Sequence, residues 1–262
     1  MEIKEFKIRA SGCGQIMTGS IGLTEKQSIT LKDLQSKDAI TLKQRKTQDE
    51  LEYKKANPTL PETLKSFCQT WLKEQLYNRR NEFSSKYTQK GNEVEDNSLD
   101  YIAEQLDLGM LLKNEEYFES NFLTGTPDAI LKDYLIDVKN SWDCFTFPLF
   151  EKDIPNKDYF YQAQCYMHLT NRKSYKLIYV LSDTPNHLIE KDAYWWCKNN
   201  GYDELDGDIF EQFVDKYTYK NINDKLKIKV FNIEYDESVI EAIYDRVAMC
   251  REYIEQLLLI IK

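Results

Sequence analysis

The stretch from Leu123 to Ser141 constrains this chain more than any other. It reads Leu-Thr-Gly-Thr-Pro-Asp-Ala-Ile-Leu-Lys-Asp-Tyr-Leu-Ile-Asp-Val-Lys-Asn-Ser. Two short apolar runs flank Lys132-Asp133, which predicts two strands joined by a tight turn. With the turn there, Leu131 faces Tyr134, Ile130 faces Leu135, Ala129 faces Ile136 and Asp128 faces Asp137. Directly opposed residues carry Cβ atoms about 4.5–5.5 Å apart. Two carboxylates that close repel unless a cation lies between them. In Asp137-Val138-Lys139 the two charged side chains share one sheet face, because strand side chains alternate. Two acids and a lysine on one face are the raw material of a hard-metal site with a cationic helper. The competing reading is a solvated turn.

The rest of the chain supplies more polar groups on ordered elements. From Gly91 to Leu106 the pattern is helical, and at about 100° per residue Glu95 lies over Leu99, Ile102 and Leu106. Glu95 is thus expected on the apolar, inward face, where an acid needs a partner or a metal. Asp158 to Thr170 also reads as a helix, with Gln162 and Tyr166 one turn apart on the same face. His168 on that helix has no evident ligand partner and is read as structural. Lys176–Leu181 is expected as a central strand. Helices are expected around Trp195-Trp196 and over 207–217, a strand over 225–233, and a long last helix from Asp236. The final run Leu257–Ile261 reads as the buried end of that helix. Near the N-terminus, Ile8-Arg9-Ala10-Ser11 runs into a glycine-rich turn. Arg9 and Ser11 there could grip a phosphate through a guanidinium fork and a hydroxyl. Residues 24–56 read as polar helix and residues 115–122 as a strand.

Composition bounds the function. At 262 residues and 42% hydrophobic, the chain is long enough for a substantial core. The net charge of −9 argues against broad nucleic-acid affinity, although a metal cluster and local basic patches can coexist with an acidic remainder. Six scattered cysteines with no C-x-x-C pair argue against a locally assembled zinc or iron–sulfur site. With no signal peptide, they are expected as free thiols in a reducing cytoplasm. No apolar run approaches the roughly 20 residues needed to span a membrane.

The order is a helix with Glu95, a strand, a strand with Asp128, a strand with Asp137 and Lys139, a helix with Gln162 and Tyr166, then a strand. This α-β-β-β-α-β order resembles the core of the PD-(D/E)xK nuclease superfamily. The motifs are Gly91-x-x-x-Glu95, Gly125-Thr126-Pro127-Asp128, Asp137-Val138-Lys139 and Gln162-x-x-x-Tyr166. As a set they are similar to those of the YqaJ-like phage recombination exonucleases, the phage lambda exonuclease type. Ile8-Arg9-Ala10-Ser11 resembles that type's phosphate-gripping segment, with Ser11 matching better than Arg9. Asp137 stands where many relatives carry Glu.

The resemblance implies an α/β, restriction-endonuclease-like fold, with a central mixed sheet flanked by helices and with N- and C-terminal helical additions. It implies one nuclease domain over 1–262, with an N-terminal extension (1–87), a catalytic core (88–182) and a C-terminal part (183–262). Asp128, Asp137, Glu95 and the Val138 carbonyl would hold one or two Mg²⁺ ions, with Mn²⁺ as a substitute. Lys139 would orient or deprotonate the attacking water, and Gln162 and Tyr166 would position the reacting groups. Arg9 and Ser11 would bind a 5′ phosphate. The implied activity is 5′→3′ digestion of linear double-stranded DNA in phage-type recombination. The implied partners are a single-strand-annealing protein and further copies of the chain in a ring, in the host cytoplasm. The alternatives are an endonuclease or a Cas4-like nuclease on the same core, and a catalytically silent DNA-binding subunit. The missing cysteine cluster speaks against the Cas4-like form.

Overall fold

A computed structural model of the chain describes residues 3–81 and 84–261. In chain order the elements are β1 (Ile8–Arg9), a short 3-10 turn (Ala10–Gly12), α1 (Cys13–Met17), α2 (Glu25–Gln35), α3 (Leu42–Ala56), α4 (Glu62–Tyr77) and α5 (Lys86–Gln105). Then come β2 (Phe118–Glu119), β3 (Leu123–Gly125), β4 (Ala129–Ile130), β5 (Tyr134–Asn140), α6 (Lys157–Thr170) and β6 (Ser174–Val180). The chain continues with α7 (Asn186–Asn199), α8 (Gly207–Tyr217), β7 (Ile228–Glu234) and α9 (Glu237–Ile260). The packing divides the chain into two compact units. One comprises residues 1–7, 12–81 and 241–262, the other residues 8–11 and 82–240.

The first unit is helical. Residues 24–56, expected as one polar helical region, form α2 and α3, each opened by a threonine capping box at Thr24 and Thr41. Phe6 is buried edge-on against Phe67 and Trp71, at ring-centroid distances of 6.3 and 5.1 Å. Arg251 ties α9 to the same strand of chain, donating to the Phe6 carbonyl at 3.0 Å and pairing with Glu5 at 2.7 Å. The expected buried end of α9 is not found. Ile254 is the last core residue, and Leu259, Ile260 and Ile261 are exposed because the helix runs past its packing partners.

The second unit is mixed α/β. Its strands form two hydrogen-bonded sheets, β1-β3-β2 and β4-β5-β6-β7, where the sequence suggested one. The first strand of the expected hairpin is divided at Thr126-Pro127-Asp128, because proline cannot donate to a ladder. Residues 115–122 contribute only the two-residue β2. The predicted register holds: Ala129 pairs with Ile136 and Ile130 with Leu135, and the Leu131 N–H donates to the Tyr134 carbonyl at 3.0 Å. β5 runs parallel to β6 through the α6 crossover, and β6 is central, with β7 antiparallel on its far side. Ile136 and Val138 point to one face, into a core with Ala129, Ile178 and the α5 residues Leu99 and Ile102. Burying each such side chain is worth about 1.5–3 kcal/mol. A one-residue slip of β5 would drive Asp137 and Lys139 into that core, so the apolar face pins the register.

Candidate active site

β5 alternation sends Asp137 and Lys139 to the face covered by α6. Asp137 is 1% exposed. Its Oδ1 accepts from Gln162 Nε2 at 3.4 Å, and its Oδ2 stands 2.6 Å from Lys139 Nζ in an ion pair. Gln162 Nε2 also approaches the Tyr166 hydroxyl at 3.3 Å. The predicted i,i+4 pair on α6 thus braces the carboxylate of Asp137. Burial, opposed by the Gln162 hydrogen bond and reinforced by the nearby carboxylates, pushes the Tyr166 phenol up to about 12. Tyr166 is placed as a hydrogen-bonding strut of Gln162.

Asp128 enters from the irregular link before β4. Its Oδ2 accepts from the Val138 N–H at 3.0 Å, which lays it beside Asp137 as the hairpin register predicts. Burial, followed by the Asp137 charge, pushes the Asp128 carboxyl up to about 8; Lys139 and the Val138 N–H oppose the shift and Glu95 adds to it. For Lys139, burial disfavours the ammonium, but Asp137 and Asp128 outweigh it and the net shift is upward. The lysine is therefore a firm cation, 4.8 Å from the centre of the Tyr159 ring.

Glu95 stands at the edge of the buried face of α5, half-exposed, and pairs with Lys113 at 3.2 Å. The strictly inward position expected of it belongs instead to Val94, Ser98, Leu99 and Ile102. A helix turns by about 100° per residue, so Glu95 falls at the rim of that stripe. There it lines a cleft of about 460 Å³ with Gly91, Asp128, Val138, Lys139, Tyr159 and Tyr179.

Arg9 and Ser11 are exposed. β1 pairs in parallel with β3, Arg9 opposite Thr124, so their segment lies along the strand that leads to Asp128.

Several contacts that position the site were not read from the sequence, that of the motif residue Gly125 among them. Gly125 packs closely against the Tyr166 ring: a Cβ there would lie 2.5 Å from Tyr166 Cε1 and 3.2 Å from the Ala10 Cβ. Only glycine lets β3 approach α6 this closely. Asn114 holds the link to Asp128, its N–H donating to the Asp128 carbonyl at 2.7 Å and its side chain to that of Pro127 at 3.0 Å. Lys90 is fully buried and donates to the carbonyls of Ser141, Trp142 and Ser182 at 2.7, 3.0 and 2.8 Å. Ser98 donates to Asn140 Oδ1 at 2.7 Å. These bonds clamp α5, and with it Glu95, to the ends of β5 and β6. The signal for Lys90 was present: it heads the Val94–Ser98–Ile102 stripe at i,i+4 spacing. His168 bonds the Tyr235 hydroxyl at 3.0 Å, in keeping with a structural role.

The arrangement suits a hard cation. Asp137 is buried with the half-buried Asp128 beside it, and Oδ2 of Asp137 faces the Lys139 ammonium. Among the described residues no three His, Cys, Asp or Glu side chains gather as a ready metal cage. Mg²⁺ does not need one, since it commonly binds through one or two carboxylates and keeps several waters.

Neither a protein-family model nor a curated protein matches this sequence. Solved structures do match. A phage-related exonuclease from Haemophilus somnus 129PT superposes with a TM-score of 0.71 at 24% identity, over 99% of this chain and 98% of that one. An alkaline exonuclease (LHK-Exo) from Laribacter hongkongensis gives 0.55 at 13% identity, over 97% and 91%. A structure of LHK-Exo in complex with dAMP gives 0.53 at 16%, over 96% and 91%. The chain has the fold of these exonucleases. Within that exonuclease fold, Asp128, Asp137, Lys139, Gln162 and Tyr166 form one cluster, and Glu95 lines the cleft beside Asp128 and Lys139. Among the described residues no helix is long and apolar enough to cross a membrane.

Proposed function

We propose that this chain is a divalent-metal-dependent deoxyribonuclease that digests linear double-stranded DNA from its ends, 5′→3′. The observation that carries the reading is the adjacent Asp128–Asp137 carboxylates, Asp137 buried and Asp128 half-buried, with Lys139 held against Asp137, on an exonuclease-type fold. Asp128, Asp137 and the Val138 carbonyl would hold one or two Mg²⁺ ions, or Mn²⁺ in their place, with Glu95 binding directly or through water. Such an ion lowers the pKa of a bound water and offsets phosphate charge.

The chain's own groups do the rest. Gln162, bonded to Tyr166, fixes the orientation of Asp137. Lys139, kept protonated by the carboxylates, orients the attacking water and stabilises negative charge developing on the phosphate. Hydrolysis joins the water oxygen to phosphorus and breaks the bond to the 3′ oxygen; the water gives up a proton and the leaving oxygen gains one. Arg9 and Ser11 would hold the 5′ phosphate of the end being digested. The wider setting rests on the motif resemblance: phage-type recombination, a single-strand-annealing partner and a ring of like subunits.

Duplex DNA labelled at either end, with and without a 5′ phosphate, tests the reading. Digestion that needs Mg²⁺, prefers a 5′-phosphorylated end and spares closed circles is expected. No digestion would overturn the enzyme reading, and cutting of closed circles would replace exonuclease with endonuclease.

A further inference from the structure

The first turn of α6 looks two ways. Tyr159 borders the catalytic cleft. Lys157, Phe160 and Tyr161 line a second groove of about 650 Å³, with Lys152 and Asp153 from the preceding loop and Lys229 and Phe231 from β7. Its charged lining is three lysines against one carboxylate, in a chain whose net charge is −9. The positive character is therefore local and runs against the composition. Lys152 and Lys157 are exposed. Lys229 lies 5.6 Å from the Phe231 ring centre and donates to the Leu149 carbonyl at 3.4 Å.

An aromatic row with Tyr179 and Phe231 buried underlies cleft and groove, and the rings open to solvent are the half-buried Tyr159, Phe160 and Tyr161 and the exposed Phe145 and Phe150. Lys139 sits on Tyr159, Tyr159 stands 6.3 Å from Tyr179, and Tyr179 stands 5.8 Å from Phe231. The loop between the two sites holds Phe145 and Phe150 out into solvent, 84% and 88% exposed. Its backbone is pinned nearby: the Phe145 N–H bonds Asp143 at 3.1 Å and the Phe150 N–H bonds Glu151 at 3.1 Å. Lysines beside aromatic rings are what an unpaired strand needs, cations for phosphates and π-faces for bases. Duplex DNA keeps its base faces stacked and cannot use the rings.

We propose that this groove, together with Phe150, binds single-stranded DNA: the strand left unpaired as its partner is digested. The assignment rests on the exonuclease reading for the origin of the strand and on the groove alone for its binding.

The test is anisotropy of a fluorescein-labelled oligothymidylate of roughly 20 nucleotides, long enough to cover a groove of this kind. EDTA is present so that binding is read without hydrolysis. The double variant Lys152→Glu/Lys157→Glu should weaken binding by about tenfold or more and make the log K against log salt slope shallower by about 1.4, or about 0.7 per lost phosphate contact. Phe150→Ala should weaken binding and leave the slope unchanged. Lys43→Glu/Lys46→Glu, an equal charge change at exposed positions of α3, should bind as the parent does. Parental affinity in the Lys152/Lys157 variant would overturn the groove. So would an equal loss in the α3 variant, or displacement of the probe by dTMP as effective as by unlabelled oligonucleotide. Digestion of labelled duplex is scored separately: its absence in the parent overturns the nuclease reading, and an unaltered oligonucleotide response overturns the groove.

Discussion

Lys139 and Lys90 lie in the same unit, and burial disfavours both ammonium groups, yet their surroundings send them in opposite directions. Around Lys139 two carboxylates outweigh burial and raise its pKa. Around Lys90 the partners are three neutral carbonyls, and burial lowers its pKa to about 8, with Asp183 and Asp143 opposing only in part. The first environment holds a cation against two carboxylates. The second uses one cation as a three-pronged brace that ties the start of α5 to the chain where β5 and β6 end. A buried lysine is thus no signature of catalysis by itself; the charge of its acceptors decides.

The largest effect expected from breaking this contrast is at Lys139. Lys139→Ala should lower the rate of duplex digestion by about 10²–10³-fold or more, the scale for removing one donor to a developing anion. DNA binding, read by gel shift in Ca²⁺, should persist. Near-normal turnover would remove the lysine from the chemistry.

Lys90→Met comes next. It strands two buried carbonyls and one half-buried one, each buried one costing roughly 1–3 kcal/mol, offset in part by no longer burying a charge. Urea denaturation should show lower stability, and at temperatures where the variant stays folded digestion should fall far less than in Lys139→Ala. A larger loss of turnover than at Lys139 would invert the roles assigned to the two lysines.

The smallest effect is in pH. The folded protein keeps the Asp128 proton up to about pH 8, whereas an unfolded chain releases it near about 3.9. The stability this group contributes is full below the lower value and is lost as pH rises through the upper one. Lys90 has the opposite slope: its folded pKa of about 8 lies below the unfolded value of about 10.4, so its penalty is relieved as pH rises between them. Metal-free melting temperature should therefore fall from about pH 4 to 8 from the Asp128 contribution. Asp128→Asn should flatten that limb and Lys90→Met the limb above it. Added Mg²⁺ should raise the melting temperature more at pH 8 than at pH 5, because at lower pH it competes with the proton. A Mg²⁺ effect independent of pH would argue against ligation by Asp128.

Much of this was legible in order along the chain. A two-residue turn between alternating runs set Asp128 against Asp137, and strand periodicity put Lys139 on the same face as Asp137. Helical spacing paired Gln162 with Tyr166. Less legible were Glu95, which lies one helical step off the buried stripe, and Gly125, whose need for a bare backbone comes from Tyr166 some forty positions away. Lys113 gives no local hint that it pairs with Glu95. The exposed end of α9 was misread because an apolar run says that burial is favourable, not that a partner is within reach.

What the sequence by itself determined is therefore local: which residues alternate, which share a helix face, and which two acids meet across a turn. These follow from backbone periodicities of 2 and 3.6 that hold wherever the element is placed. The tertiary structure alone decided what those residues face. It set Gln162 against Asp137, Tyr166 against Gly125, Lys113 against Glu95, and carbonyls instead of carboxylates around Lys90. The physical reason is that charge and hydrogen-bond energies depend on distances of a few ångströms between groups far apart in the chain. No local period encodes those distances.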